Sequence, residues 1–188
     1  MEKRLYEKFL NTPVVASVRS PEQFEAVLRC DVEIVFLIGT TILTLPEQVS
    51  RLKVAGKTVF VHFDLLAGLS CDETGLEYLT RLVDIDGIIT TRGNLCACCH
   101  RLGLAAIQRV FLIDTSSIDT AIANVEKFRP DAIELMPGTL PKAVSKIKSL
   151  VRVPIITGGI ITEKQEIIDG LSAGAISIST TCEALWQL

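Results

Sequence analysis

Eight times along the chain a short β-branched run gives way to a helical pattern, at a spacing of a little over twenty residues. The runs are VVASV (14–18), EIVFLI (33–38), TVFVHF (58–63), DGIIT (86–90), AAIQRVF (105–111), DAIEL (131–135), PIIT (154–157) and AISIS (175–179). Each is too short for a helix and is bounded by Gly, Pro, Asp or Thr, which favours strand. Strand–helix alternation calls for parallel strands joined by right-handed crossovers. Parallel strands are covered on both faces and therefore read as unbroken apolar runs. A hydrophobic content of 48% and a mean hydropathy of +0.41 suit such strands. No G-x-G-x-x-G follows any run and all are about equally apolar, which disfavours an open doubly wound sheet. The expectation is an α/β fold, a compact (β/α)8 TIM-barrel-like single domain over residues 1–188 with minimal loops, since such barrels typically take about 250 residues.

Helix starts are marked where the chain leaves a strand. Ser20-Pro21-Glu22-Gln23 offers a cap, a proline at the first helical position and a capping-box glutamine; Ser70–Glu73, Thr162–Gln165 and Thr180–Glu183 repeat the scheme. Gly56, Gly103 and Gly174 stand where helices should end. The last helix, EALWQL, is expected to be barely two turns.

In a barrel, function collects at the C-terminal ends of the strands. Those ends carry Arg19, His62, Asp64, Arg92, Gln108, Arg109, Glu134, Gly158, Gly159, Ser179 and Thr180, a polar crown on an otherwise apolar chain. The loops after strands seven and eight are the usual phosphate site of this architecture. Gly158 and Gly159 would let bare amides approach an anion, and Ser179 and Thr180 lead into a helix N-terminus. His62 and Asp64 should share one face of strand three, as base and orienter, as ligand contacts, or as a plain hydrogen-bonded pair. Gln108 and Glu134 lie in apolar runs and need partners if buried; Arg109 or Arg92 would be the counter-ion.

The chain also lacks several kinds of machinery. No lysine ends a strand, which disfavours a Schiff-base aldolase, and no two-carboxylate pattern suggests a metal. Cys96, Cys99 and His100 satisfy C-x-x-C-H, but they fall inside a helical segment with no fourth ligand indicated, so small packed cysteines are expected rather than haem or zinc. No catalytic residue, metal or cofactor is assigned.

The net charge is −3, so no global field draws nucleic acid. From Leu135 to Thr162, however, there is no acid, while Lys142, Lys146, Lys148 and Arg152 are present. This basic stretch is either a solvated helix face or an anion-binding one. No apolar run reaches the length of about 18 residues that spans a bilayer, and MEKRLYEKFLNTP has charges scattered through it, unlike a secretory signal. A cytoplasmic location with no membrane partner is expected.

HFDLLAGLS (62–70), DGIITTRGNL (86–95), LGLAAIQRVFLIDTSS (102–117), RPDAIELMPGTLPK (129–142), PIITGGII (154–161) and AGAISISTTCEALW (173–186) closely resemble the glycerol uptake operon antiterminator regulatory proteins. The resemblance runs in order through most of the chain. It implies a cytosolic barrel-like regulator that answers to glycerol 3-phosphate and acts on leader mRNA of glycerol-utilisation genes. The effector would then be glycerol 3-phosphate and the partner leader mRNA, with Lys142, Lys146, Lys148 and Arg152 as candidate RNA contacts. The oligomeric state stays open, a homo-oligomer included. The alternative from another class is a small barrel enzyme acting on a phosphorylated three- to five-carbon metabolite, with His62, Asp64 or Glu134 as acid or base.

Overall fold

The computed structural model describes residues 3–188. Eight parallel strands follow one another around a closed barrel: β1 (Val14–Val18), β2 (Ile34–Leu37), β3 (Thr58–His62), β4 (Gly87–Thr90), β5 (Ala105–Phe111), β6 (Ala132–Met136), β7 (Ile155–Gly158) and β8 (Ser177–Thr180). Every apolar run of the sequence is a stave. Pairing of β8 with β1, Val15 opposite Ser179, closes the ring. The helices are α1 (Lys3–Asn11), α2 (Pro21–Leu28), α3 (Leu45–Val54), α4 (Glu73–Leu82), α5 (Cys96–Arg101), α6 (Thr115–Phe128), α7 (Pro141–Leu150) and α8 (Lys164–Ser172).

Strand side chains alternate between two apolar layers, as a period of two requires. Val14, Ala16, Val35, Leu37, Val59, Val61, Ile88, Ala106 and Ile133 pack outward against the helices. Val15, Ile34, Phe36, Phe60, Ile89, Ala105, Ile107, Ala132 and Ile156 fill the interior. The phenyl rings of Phe36 and Phe60 meet edge to face at 5.6 Å. Gly87 makes room for the Phe60 ring: a Cβ there would lie 2.5 Å from Phe60 Cε1 and 2.3 Å from the Ala105 carbonyl. Helix α1, ahead of the first strand, seals the N-terminal end by inserting fully buried Phe9, 5.7 Å from Phe60. Burying a phenylalanine there is worth about 1.5–3 kcal/mol.

The caps follow the sequence closely but not everywhere. Ser20 accepts from the Gln23 amide and starts α2. At α4 the cap is Asp72, accepting from Gly75 N at 2.8 Å, rather than Ser70. A carboxylate two residues nearer the apolar pattern does the same work with a full charge. At α8, Glu163 occupies the cap position and Glu166 reaches back to the amides of Thr162 and Glu163. After β8 the expected two-turn helix is a three-residue 3-10 turn, Glu183–Leu185. So short a segment has no appreciable dipole. Gly56, Gly103 and Gly174 do end their segments in the left-handed region, at φ of 75°, 72° and 107°.

The C-x-x-C-H segment is an ordinary part of the core. Cys96, Cys98 and Cys99 are buried against the barrel. Burial pushes the Cys96 thiol up to about 11 and the Cys99 thiol up to about 12. His100 turns the other way and meets Asp131 at 3.0 Å. Among the described residues, no group of three or more His, Cys, Asp or Glu side chains could hold a metal ion.

Candidate functional site at the barrel mouth

The inward positions at the C-terminal end of the barrel are where the apolar interior gives way to polar groups. Continuing the inner series of β3, β5 and β6 beyond Phe60, Ile107 and Ala132 brings His62, Arg109 and Glu134 to the mouth. Arg109 and Glu134 are register partners. Arg109 Nε donates to Glu134 Oε2 at 2.7 Å, with the carboxylate fully buried. Ser179 Oγ donates to the other oxygen at 2.6 Å. Of the two arginines considered as counter-ion, Arg109 fills the role; Arg92 instead donates to the Cys71 carbonyl at 2.8 Å.

Gly158 makes this contact possible. A Cβ on it would fall 1.9 Å from Ser179 Oγ and 3.2 Å from Glu134 Oε1. Gly159 follows at φ 79° and Ile160 at φ 61°. A left-handed β-branched residue is costly, and Ile160 is 73% exposed, so no burial offsets it. The turn is braced from the neighbouring loop, where Gly138 N donates to the Gly159 carbonyl at 3.1 Å.

His62 is 3% exposed, and its Nδ1 has no hydrogen-bond partner. Burial, reinforced by the charge of Arg109, lowers its pKa to about 4, against the pull of Asp64 and Glu134. Of the readings open for His62 and Asp64, the two in which they hydrogen-bond to each other are not met. β3 ends at His62, and Asp64 lies in a 3-10 turn, Phe63–Leu65, so period-two alternation no longer applies. Its carboxylate turns to the next strand and accepts from Thr90 Oγ1 at 2.5 Å, from Thr91 N and Oγ1 at 2.6 Å, and from Cys71 Sγ at 3.3 Å. Burial pushes Asp64 upward, but these donors outweigh it and hold the carboxyl below its usual range. Asp64 thus ties two rim loops together.

Other candidates fall elsewhere. Gln108 alternates with Arg109, between outward Ala106 and Val110, so its unpartnered Oε1 lies behind the barrel wall. Thr180 also faces outward; its hydroxyl donates to the Ile161 carbonyl at 2.7 Å and accepts from Cys182 N at 3.0 Å. Trp186 Nε1 donates to the Thr180 carbonyl at 2.9 Å. The hydroxyls of Ser179 and Thr180 are therefore both committed within the protein. Arg19 is exposed on the rim. Ser17, inward at the end of β1 and 4% exposed, is a mouth residue that sequence reasoning passed over, although its period-two position beyond Val15 marks it.

A cleft of about 1020 Å³ opens at the opposite end, beneath α1. Several of its lining groups are paired: Lys8 with Glu33 at 3.4 Å, Asp86 with Lys53 at 2.8 Å, and Asp131 with the His100 ring at 3.0 Å. The mouth differs in holding buried polar atoms without partners, His62 Nδ1 and Arg109 Nη2. Such orphans are rare unless something else satisfies them.

Helix α7 presents the basic stretch. Lys142 and Lys146, four residues apart, share its solvent face, opposite buried Val144 and Ile147. Lys148 lies on the flank toward α8, its stem over Gly174, and exposed Arg152 follows the helix end. The first turn of α7 holds no acid. A lysine there opposes the helix dipole, so its presence does not serve helix stability.

A closed eight-stranded parallel barrel with its polar groups gathered at the C-terminal mouth defines a (β/α)8 protein of the TIM-barrel type. A profile of the glycerol-3-phosphate responsive antiterminators matches residues 14–186, and the chain belongs to that family. It is similar to the solved glycerol uptake operon antiterminator regulatory protein of Listeria monocytogenes, at 32% identity, TM-score 0.90, covering 94% of this chain and 95% of that one. An antiterminator-related protein of Thermotoga maritima follows at 27% identity and TM-score 0.83, covering 94% and 99%. The uncharacterised protein YgcP of Escherichia coli K12 is 30% identical over 176 residues, 94% of this chain and 92% of that protein.

Proposed function

We propose that the protein is a glycerol 3-phosphate-gated regulator that binds leader mRNA of glycerol-utilisation genes and prevents early termination. The family match across residues 14–186 carries this reading. The ligand would enter the barrel mouth. Its phosphate would rest on the backbone of the loops that leave β7 at Gly158–Gly159 and β8 at Ser179–Thr180, because the hydroxyls of Ser179 and Thr180 are already committed. Its glycerol part would face His62 and Arg109, with Asp64 behind them shaping the rim.

The alternative, a small barrel enzyme, draws less support from the same residues. His62 is held neutral by burial, Asp64 is saturated by donors, and Glu134 is locked by Arg109 and Ser179. Both carboxylates already spend their oxygens on protein donors, and the His62 ring is a weak base. For the RNA, α7 offers Lys142 and Lys146 on one solvent face, with Lys148 and Arg152 continuing toward the base. Ten helical residues extend about 15 Å, room for a few phosphates of a single strand. Cytoplasmic action accords with this role, and among the described residues no helix is long and apolar enough to cross a membrane.

The test is calorimetric titration with glycerol 3-phosphate followed by recovery of the ligand. A regulator binds the compound and returns it unchanged. Stoichiometric consumption or multiple turnovers would make the protein an enzyme.

A further inference from the structure

The two unpartnered atoms at the mouth differ in chemistry. Arg109 spends Nε on Glu134 and leaves Nη2 buried and free, while His62 leaves Nδ1 buried and free. On the reading that a phosphorylated metabolite enters this mouth, we propose that His62 and Arg109 together read one hydroxyl of that ligand, so that the site selects a phosphorylated polyol over its deoxy form.

A guanidinium can only donate, whereas a neutral imidazole has one donor and one acceptor nitrogen. Burial and the charge of Arg109 lower the His62 pKa to about 4, so the ring is neutral near pH 7. In the tautomer protonated at Nε2, the unpartnered Nδ1 carries the lone pair. A group placed between the two must accept from Arg109 Nη2 and donate to His62 Nδ1. A hydroxyl does both at once. A phosphate oxygen accepts only, so it would satisfy Arg109 and leave His62 unpaired. The anion therefore belongs on the loop backbone, and the carbon-bearing hydroxyl belongs here. The other orphaned side-chain atoms, Gln108 Oε1 and Thr157 Oγ1, lie in the outer layer and cannot join this subsite.

The experiment is calorimetry on the full chain with glycerol 3-phosphate, with the two deoxy analogues that each lack one of its hydroxyls, and with inorganic phosphate. Losing the hydroxyl that is read leaves two buried groups unpaired, so one analogue should bind on the order of 10- to 100-fold more weakly than the parent. His62→Phe should shrink the parent's advantage over that analogue, the Arg109 contact alone remaining, and should weaken inorganic phosphate far less than the parent. His62→Gln, which keeps an acceptor, should retain part of the preference. The unaltered protein alone decides the matter if the variants fail to fold. Equal affinity for the parent and both analogues would overturn the hydroxyl subsite and leave the ligand reading standing. Absence of binding by every phosphorylated compound would overturn both.

Discussion

Arg109 and Glu134 face one another across β5 and β6, with Nε and Oε2 2.7 Å apart and the carboxylate wholly buried. Removing one member of such a pair strands a buried charge, at a cost of about 3–5 kcal/mol. Arg109→Met should therefore lower the urea midpoint severely. The double variant with Glu134→Leu should recover most of the loss, because no charge is then left unpaired. Chemical denaturation of the two variants checks this; equal destabilisation of single and double would argue against a coupled pair.

Gly158→Ala should also be costly. The new methyl would sit 1.9 Å from Ser179 Oγ and 2.9 Å from the Ser179 carbonyl, so the serine must abandon Glu134 and the backbone must shift. Losing that hydrogen bond alone costs about 1–3 kcal/mol. Ser179→Ala should incur much of the same penalty, and the double variant should fall short of the sum. Strict additivity in denaturation would contradict the shared contact.

His62 predicts the direction of a pH effect. Its folded pKa of about 4 lies below the ordinary value of 6.5. Between these values the unfolded chain binds the extra proton, so stability is full above pH 6.5 and declines toward pH 4. The slope from this group approaches about 1.4 kcal/mol per pH unit. Other groups titrate in the same window, so the informative quantity is the difference between the protein and His62→Gln. Parallel stability–pH curves would show that the ring is not desolvated as described.

The cysteines should be silent while the chain is folded. With burial pushing Cys96 to about 11 and Cys99 to about 12, little thiolate exists near neutrality. A thiol reagent at pH 8 should leave these two unmodified in buffer and label them in urea, as mass spectrometry would report. Their rapid native labelling would contradict the packing.

These predictions bear on what the sequence discloses. The staves were legible because each apolar run is short and sharply bounded, and β1 runs over the same Val14–Val18 that composition marks. The facing of Gln108 was not legible. Two adjacent polar residues, Gln108 and Arg109, cannot both point inward, and only the layer occupied by Ile107 fixes which does. Asp64 was misplaced for a related reason, since period-two reasoning ends where β3 ends, one residue before Phe63. The plug formed by Phe9 is likewise a property of closure: α1 lies outside the strand–helix repeat, and nothing local marks its apolar face as a seal.

The central claim is that ligand and RNA binding are coupled. Filter binding of leader RNA, with and without saturating glycerol 3-phosphate and at several salt concentrations, tests it most directly. A switch requires the ligand to favour the RNA-competent state, and the coupling should fall in the usual range of about 5- to 150-fold. If RNA meets the protein at Lys142, Lys146, Lys148 and Arg152, as proposed, the salt dependence should be shallow, each neutralised phosphate adding about −0.7 to the slope. Replacing Lys142 and Lys146 together should flatten it without altering affinity for glycerol 3-phosphate alone. The account predicts tighter RNA binding in the presence of the ligand. Equal RNA affinity with and without it would contradict the account.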